Sequence, residues 1–363
     1  MKQLLSIFIG IATVLFVNPV QAQAPKYSNE FLAIGVGARA LSMANATVAS
    51  VNDVTSGYWN PAGLLGINSK AQVGLMHAEY FASIAKYDYL AVAGRIDSMS
   101  SFGVSMVRFA VDDIPNTTQL IDAGGNIDYN RITTFTAADY AFLLSYARKS
   151  PIKGLNYGVN AKIIRRKVGD FAGAWGFGID AGAQYDLKGF HLGAVVRDVT
   201  STFNAWSFNL PQEMQDVFLA TGNIIPTNSL ELTLPRLIMG ASKQVTLDKK
   251  QKFTLGGELD LINTFDGKRN VIVRTGVWSM EPVIGFEAGF KNIVFLRGGI
   301  GNIQKAKDVF GKKVTTFQPN LGIGIKIKSL TIDYALTDVG DQSVALYSNI
   351  FSLKLDINKK IQK

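Results

Sequence analysis

Two histidines, His77 and His191, are the only imidazoles in the chain, and cysteine is absent. A Ser-His-acid hydrolase needs one of those histidines as its base, but no serine stands out beside either. Neither sits in a metal-ligand spacing. Without cysteine there is no thiol nucleophile, no thiolate metal site and no disulfide framework. Gly35-Val36-Gly37 has the start of a dinucleotide loop, yet it follows no βαβ strand and lacks the third glycine, so it reads as close backbone packing. The remaining candidates are Asn160, Lys162, Asp180, Gln184, Glu258, Asp260 and Lys326, each at an alternating position of an apolar run. They read as a mixed polar interior that is hydrated and anchors a neighbouring segment, with selective passage as the alternative. Arg39 is expected to pair with Asp53, or with Asp180 and Glu258. No catalytic residue, cofactor or metal is expected.

Strands must position those side chains. In the run from Asn156, the residues Tyr157, Val159, Ala161 and Ile163 alternate with Asn156, Gly158, Asn160 and Lys162. In the next run Phe177, Ile179, Ala181, Ala183, Tyr185 and Leu187 alternate with Gly178, Asp180, Gly182, Gln184 and Asp186. Successive side chains of a strand point to opposite faces, so each run has one apolar and one small or polar face. Repeated almost to the C-terminus, this predicts an all-β transmembrane barrel with lipid outside and a polar lumen inside. Fourteen strands are expected near 71–81, 86–97, 101–112, 134–149, 155–168, 174–187, 190–199, 232–246, 252–263, 282–291, 293–301, 315–327, 330–337 and 345–357. The stretch 270–280 is assigned to a loop, because single-chain bacterial barrels have even strand numbers.

The links alternate between tight and long. Tight ones fall at 97–100, 150–154, 188–189, 247–251, 291–292 and 328–329, and long ones near 113–133, 200–231, 264–281, 302–314 and 338–344. Outer-membrane barrels sort their connections this way, with tight turns in the periplasm. An even count places both termini there. Within the loop 200–231, Pro211 to Gly222 is predicted to form a short helix with Met214, Val217 and Phe218 on one side. That side either packs onto the barrel mouth or, with Phe203, Trp206 and Phe208, docks a partner. The net charge of +9 is spread along the chain without a basic helix, which argues against nucleic acid.

Residues 1–22 have the charged, apolar and small-residue regions of a secretory signal. Residues 23–69 do not alternate and are rich in small residues. Because side chains alone cannot fill the bore of a wide barrel, they are expected to plug it. The barrel then covers 70–357, followed by a tail at 358–363.

The run Phe31-Leu32-Ala33-Ile34-Gly35-Val36-Gly37-Ala38-Arg39, with Tyr58-Trp59-Asn60-Pro61-Ala62-Gly63-Leu64, resembles the PorV/PorQ family of Bacteroidota outer-membrane proteins. That family belongs to the FadL-like class, whose plug also carries an Asn-Pro-Ala turn. Phe286-Glu287-Ala288-Gly289-Phe290 and Phe295-Leu296-Arg297-Gly298-Gly299 are similar to the family too. The resemblance implies a fourteen-stranded barrel in the outer membrane, among its lipid and lipopolysaccharide. It also implies work in type IX secretion: binding the C-terminal domain of secreted cargo and docking on the translocon barrel SprA (also called Sov), with no chemistry by this chain. A FadL-type channel for hydrophobic small molecules is the second expectation.

Overall fold

The computed structural model describes residues 28–121, 125–250, 252–267, 269–307, 311–337 and 347–358. The expected signal segment and the tail beyond Asn358 lie outside them. Strands β1 (Ala71–Tyr80), β2 (Ala85–Arg95), β3 (Ser100–Asn116), β4 (Thr133–Lys149), β5 (Leu155–Val168), β6 (Ala172–Leu187) and β7 (Phe190–Arg197) form an antiparallel meander. After β8 (Thr202–Phe208) and β9 (Ser229–Thr233), β10 (Arg236–Thr246) returns to pair with β7. The meander continues through β11 (Phe253–Thr264), the two-residue β12 (Val273–Arg274), β13 (Ser279–Phe290) and β14 (Val294–Lys307). It ends with β15 (Lys313–Ile327), β16 (Leu330–Thr337) and β17 (Ser348–Ile357). β17 pairs with β1 from Ala71↔Ile357 to Glu79↔Asn349 and closes the ring. The ring closes through β1–β7, β10, β11 and β13–β17, so the barrel has fourteen strands, those expected from the alternation.

Apolar side chains face outward. Trp175, Phe177 and Ile179 on β6 are about half exposed, as are Phe351, Leu353 and Leu355 on β17. Such a surface suits lipid. No helix of the described residues is long and apolar enough to cross a membrane; the crossing is made by strands. Tight links between β2 and β3, β6 and β7, and β15 and β16 lie at the end where β1 begins and β17 stops. We call this the turn end and the opposite rim the loop end.

Two parts of the predicted layout differ. The stretch 200–231, expected as a loop, contains β8, the helix α3 (Gln212–Ala220) and β9. β8 pairs with the upper half of β6, from Ala172↔Phe208 to Phe177↔Phe203, and β9 pairs with β8. The chain leaves the wall after Arg197 and rejoins it at Thr202, with positive φ at Asp198 and Ser201. β7 and β8 thus make one interrupted stave. The stretch 270–280 adds β12, paired only with β13 and outside the ring.

Candidate functional site in the lumen

Residues 28–69 lie against the inward side chains of the wall. They contain 3₁₀ turns at Glu30–Ala33 and Pro61–Gly66 and two short helices, α1 (Ala38–Ser42) and α2 (Ser56–Trp59). The segment starts beside β9 near the loop end, where Asn29 Nδ2 donates to Thr233 Oγ1 at 2.8 Å and Asn204 Nδ2 donates to Ser28 Oγ at 2.7 Å. It ends at the turn end, where Ser69 Oγ donates to Asp356.

Small wall residues let its backbone approach. A Cβ on Gly299 of β14 would sit 2.2 Å from the Met43 carbonyl carbon, and no side chain fits that gap.

The strongest grip comes from β11. Glu258 and Asp260 are two residues apart, so both point inward. Asp260 Oδ2 accepts from the Thr47 and Val48 amides at 2.9 and 3.0 Å, and Glu258 Oε1 accepts from Ala49 and Ser50 at 2.6 and 3.3 Å. Four consecutive N–H groups with no helix or strand partner are satisfied by two carboxylates. Gln184 contributes from the other side, donating to the Val51 carbonyl at 2.9 Å. Asn160 donates to the Gly57 carbonyl at 2.7 Å.

The Asn60-Pro61-Ala62-Gly63 turn is fully buried. Asn60 Oδ1 caps the following 3₁₀ turn by accepting from Ala62 N, and its Nδ2 donates to the carbonyls of Val48 and Ala183 at 2.9 and 3.0 Å. Pro61 takes the first position of that turn, where its missing N–H costs nothing. A Cβ on Gly63 would lie 2.3 Å from the Val51 carbonyl oxygen. Trp59 Nε1 donates to Val36 O at 2.9 Å. Gly35 N–H donates to Tyr58 Oη, and Gly37 N–H to Met76 Sδ.

Two charge networks complete the lining. Arg39, expected from sequence to pair with Asp53, or with Asp180 and Glu258, pairs with Glu287 instead. Its Nε lies 3.0 Å from Glu287 Oε2, which also takes Arg297 Nε at 2.6 Å; Arg297 Nη1 reaches Asp333 at 2.7 Å. Glu287 and Arg297 stand opposite each other across the β13–β14 register. Asp53 pairs instead with Lys354 at 2.7 Å. Burial alone would raise the Asp53 carboxyl, but the Lys354 ammonium and the Thr55 hydroxyl outweigh it and hold the group well below the usual carboxylate range.

The second network sits under the β7–β8 break. Lys162 Nζ reaches Asp180 at 2.7 Å and also Asp198, and Asp198 N donates to Asp180 Oδ1. All three are buried. Above it, the Arg197 guanidinium stacks 4.7 Å from the Tyr58 ring centre and 5.5 Å from one of the Trp59 rings. Sequence reasoning missed Arg197, Asp198, Glu287, Arg297, Asp333 and Lys354. Glu287, Arg297, Asp333 and Lys354 all occupy polar positions of alternating strands, a signal already used for Asn160 and Asp180.

Lys326 is half-buried and lines a cavity of about 730 Å³ at the turn end with Arg39, Glu258, Glu287 and Lys354. A larger cavity of about 1000 Å³ lies on the loop side, between Ile34, Leu41, Phe81, Phe109 and Val283, with Arg236 and Arg269 on its wall. Further spaces near Asp53 and near Lys162 have about 30 and 20 Å³, room for a water or so each.

The five aromatic and methionine positions expected on a docking loop are split. Phe203 faces outward on β8 and is 38% exposed. Trp206 and Phe208 are half-buried on the opposite face of that strand, stacked at 6.2 Å, with Arg166 over the Trp206 ring at 5.0 Å. Met214 on α3 is buried, and Phe218, four residues further along the helix, is half-buried. His77 and His191 are exposed and paired with Asp88 and Asp186.

A family model described as "Type IX secretion system protein PorV" matches residues 21–260. Comparison with curated protein sequences returned no match. Among solved structures, the CymD monoaromatic hydrocarbon channel is similar at a TM-score of 0.54 and 11% identity, covering 90% of this chain and 98% of that one. The Pseudomonas putida toluene transporter TodX gives 0.53 and 12%, covering 90% and 99%. A Pseudomonas aeruginosa FadL homologue gives 0.50 and 11%, covering 88% and 98%. At such identities the likeness is one of fold.

Proposed function

Because the chain belongs to the PorV family of type IX secretion proteins and folds as a FadL-like barrel of the outer membrane, we propose that it is a non-enzymatic docking and shuttling subunit of the secretion complex. In this reading residues 1–22 are a cleaved signal and 23–69 a plug. The turn end faces the periplasm. The β8–α3–β9 region at the loop end, with Phe203, Trp206, Phe208, Met214 and Phe218, shapes the surface that meets a SprA-like translocon barrel or the C-terminal domain of secreted cargo.

The supporting observation is the grip on the N-terminal segment. Four amides held by Glu258 and Asp260, and Asn60 bonded to both the segment and the wall, favour a stoppered bore. A stoppered barrel acts through its surface. The polar lumen residues then serve anchoring and hydration, which we favour over selective passage.

The test is removal of α3 alone, replacing residues 210–226 by a short Gly-Ser turn that leaves β8 and β9 joined. Partner recovery from native membranes should fall while the barrel keeps its heat-resistant migration on gels. Unchanged recovery of translocon and cargo would move the docking surface elsewhere.

A second reading, a channel for hydrophobic small molecules, is favoured by the loop-side cavity of about 1000 Å³ with Phe81, Phe109, Ile34 and Leu41 on its walls. Purified protein carrying a stoichiometric fatty acid or hydrocarbon, with no secretion partner, would support it over the first.

A further inference from the structure

Among the described residues, β9 has a partner strand on one edge only. β8 covers that edge, from Thr202↔Thr233 to Trp206↔Ser229. The inner face meets Ser28, Asn29 and Arg166 through Thr233 and Glu231. The outer face is apolar and continuous with the belt of the barrel: Leu232 stands beside Phe203, which stands beside Phe177, and Leu230 beside Ala205 and then Trp175. Leu230 and Leu232 are 62% and 51% exposed. Arg165 lies over Trp175, as expected where a belt meets the headgroups. The wall below is complete, since β10 pairs with both β7 and β11. β11 stops at Thr264, opposite Arg236, the first residue of β10. Among the described residues no strand pairs with β9 above that point except β8.

A row of backbone N–H and C=O groups turned toward lipid has no water to bond and is costly. It is also a template for strand addition. We infer that the free edge of Ser229–Thr233 accepts an extended strand from another membrane-embedded protein, one with apolar residues at alternate positions on its lipid side. A second copy of this chain fits less well. Related by an axis along the bilayer normal, it would offer β9 with its faces exchanged, setting the Leu230 and Leu232 side beside the side of Glu231. The inference deepens the docking reading and rests on it for the existence of a partner.

The test uses the full chain in native outer membranes, with the photo-crosslinking residue p-benzoylphenylalanine placed singly at Leu230, Leu232, Leu219 on α3, or Phe286 on β13. Positions 230 and 232 should each form an adduct with one protein, at sites two residues apart within a single extended segment, and 286 should form none with it. Leu232→Lys, which puts a charge on the edge strand, should lower recovery of that protein about tenfold, the effect of roughly 1.4 kcal/mol, without altering heat-resistant migration. Adducts from 230 and 232 with lipid only, with a second copy, or at partner sites lacking the two-residue spacing would overturn strand addition. An adduct from 219 but not from 230 or 232 would also overturn it while keeping the docking reading; no protein adduct from 219, 230 or 232 would end both.

Discussion

β9 and β10 are separated by Leu234 and Pro235, yet they live in different surroundings. β10 has a neighbour on each edge, and its inward Gly240 closes on Val48 of the N-terminal segment. Among the described residues β9 pairs with one strand, and it carries the first described residues of that segment on its inner face. Pro235 has no N–H to give to a ladder, so the break falls where the sequence cannot continue one. The contrast shows what makes this wall: a strand is fixed where lipid, two neighbours and the buried segment all act on it. Where, among the described residues, one neighbouring strand is missing, the same alternation yields a strand held along one edge only.

The largest effect should come from breaking the fixed side. Replacing both Glu258 and Asp260 with alanine would strand the amides of Thr47, Val48, Ala49 and Ser50, at about 1–3 kcal/mol for each buried donor left without a partner. The segment should loosen inside an intact ring. Planar-bilayer recordings should show open-pore conductance steps that the unaltered protein lacks, and protease added from the turn end should cut within 43–55. A silent, protease-resistant double variant would mean that the segment does not depend on this grip.

Next in size is the junction between the two regions. Lys162→Met leaves Asp180 and Asp198 buried without their cation, a loss of about 3–5 kcal/mol. The barrel should lose heat-resistant migration at a lower temperature. Lys162→Met with Asp180→Asn and Asp198→Asn should recover much of that loss. If the single variant melts as the parent does, the triad under the break is not what holds β7 to β8. Asn60→Ala removes one cap and two carbonyl contacts, and about 0.5–2 kcal/mol is expected from the cap; the melting shift should be smaller than for Lys162→Met.

The fold was legible because lipid and lumen impose opposite demands on neighbouring residues. On β6, Trp175, Phe177 and Ile179 could only face out, and Gly178 and Asp180 only in. β8 was harder to see for the same physical reason. Thr202 to Ala205 alternates as a wall strand should, but Trp206 and Phe208 then fall on the inner side and Ser207 on the outer, because the inner side there meets Arg166 rather than bulk lumen. The site was half legible. The polar positions of β5, β6 and β11 announced themselves, whereas the partner of Arg39 did not. Finding Glu287 requires the β13–β14 register that sets it opposite Arg297, and register is a property of two strands rather than of one. Asp198 was hidden because it lies in the break itself, where no period exists to read.

A smaller effect is expected from pH. The Asp53 carboxyl is depressed in the folded chain, so its contribution is fully present above the ordinary carboxylate value near 3.9 and is lost as pH falls below that value toward the folded one. As pH falls from about 4 toward the folded value, the segment should therefore loosen progressively at Lys354, before the ring melts. Asp53→Asn should flatten that response and leave neutral-pH melting of the ring nearly unchanged. A conductance rise centred at neutral pH would point to another group.

The smallest effect belongs to the side held along one edge. Leu219→Ser and Ile224→Ser alter side chains that are 64% and 91% exposed on and after α3. Surface changes away from buried networks usually fall within about 0.5 kcal/mol, so melting and conductance should match the parent. If these two changes destabilise the ring as much as Asn60→Ala does, then α3 is packed into the wall rather than presented from it. The distinction between a fixed strand β10 and a strand β9 held along one edge would then fail, because the β8–α3–β9 region would be contributing to the stability that the comparison assigns to the segment and its carboxylates.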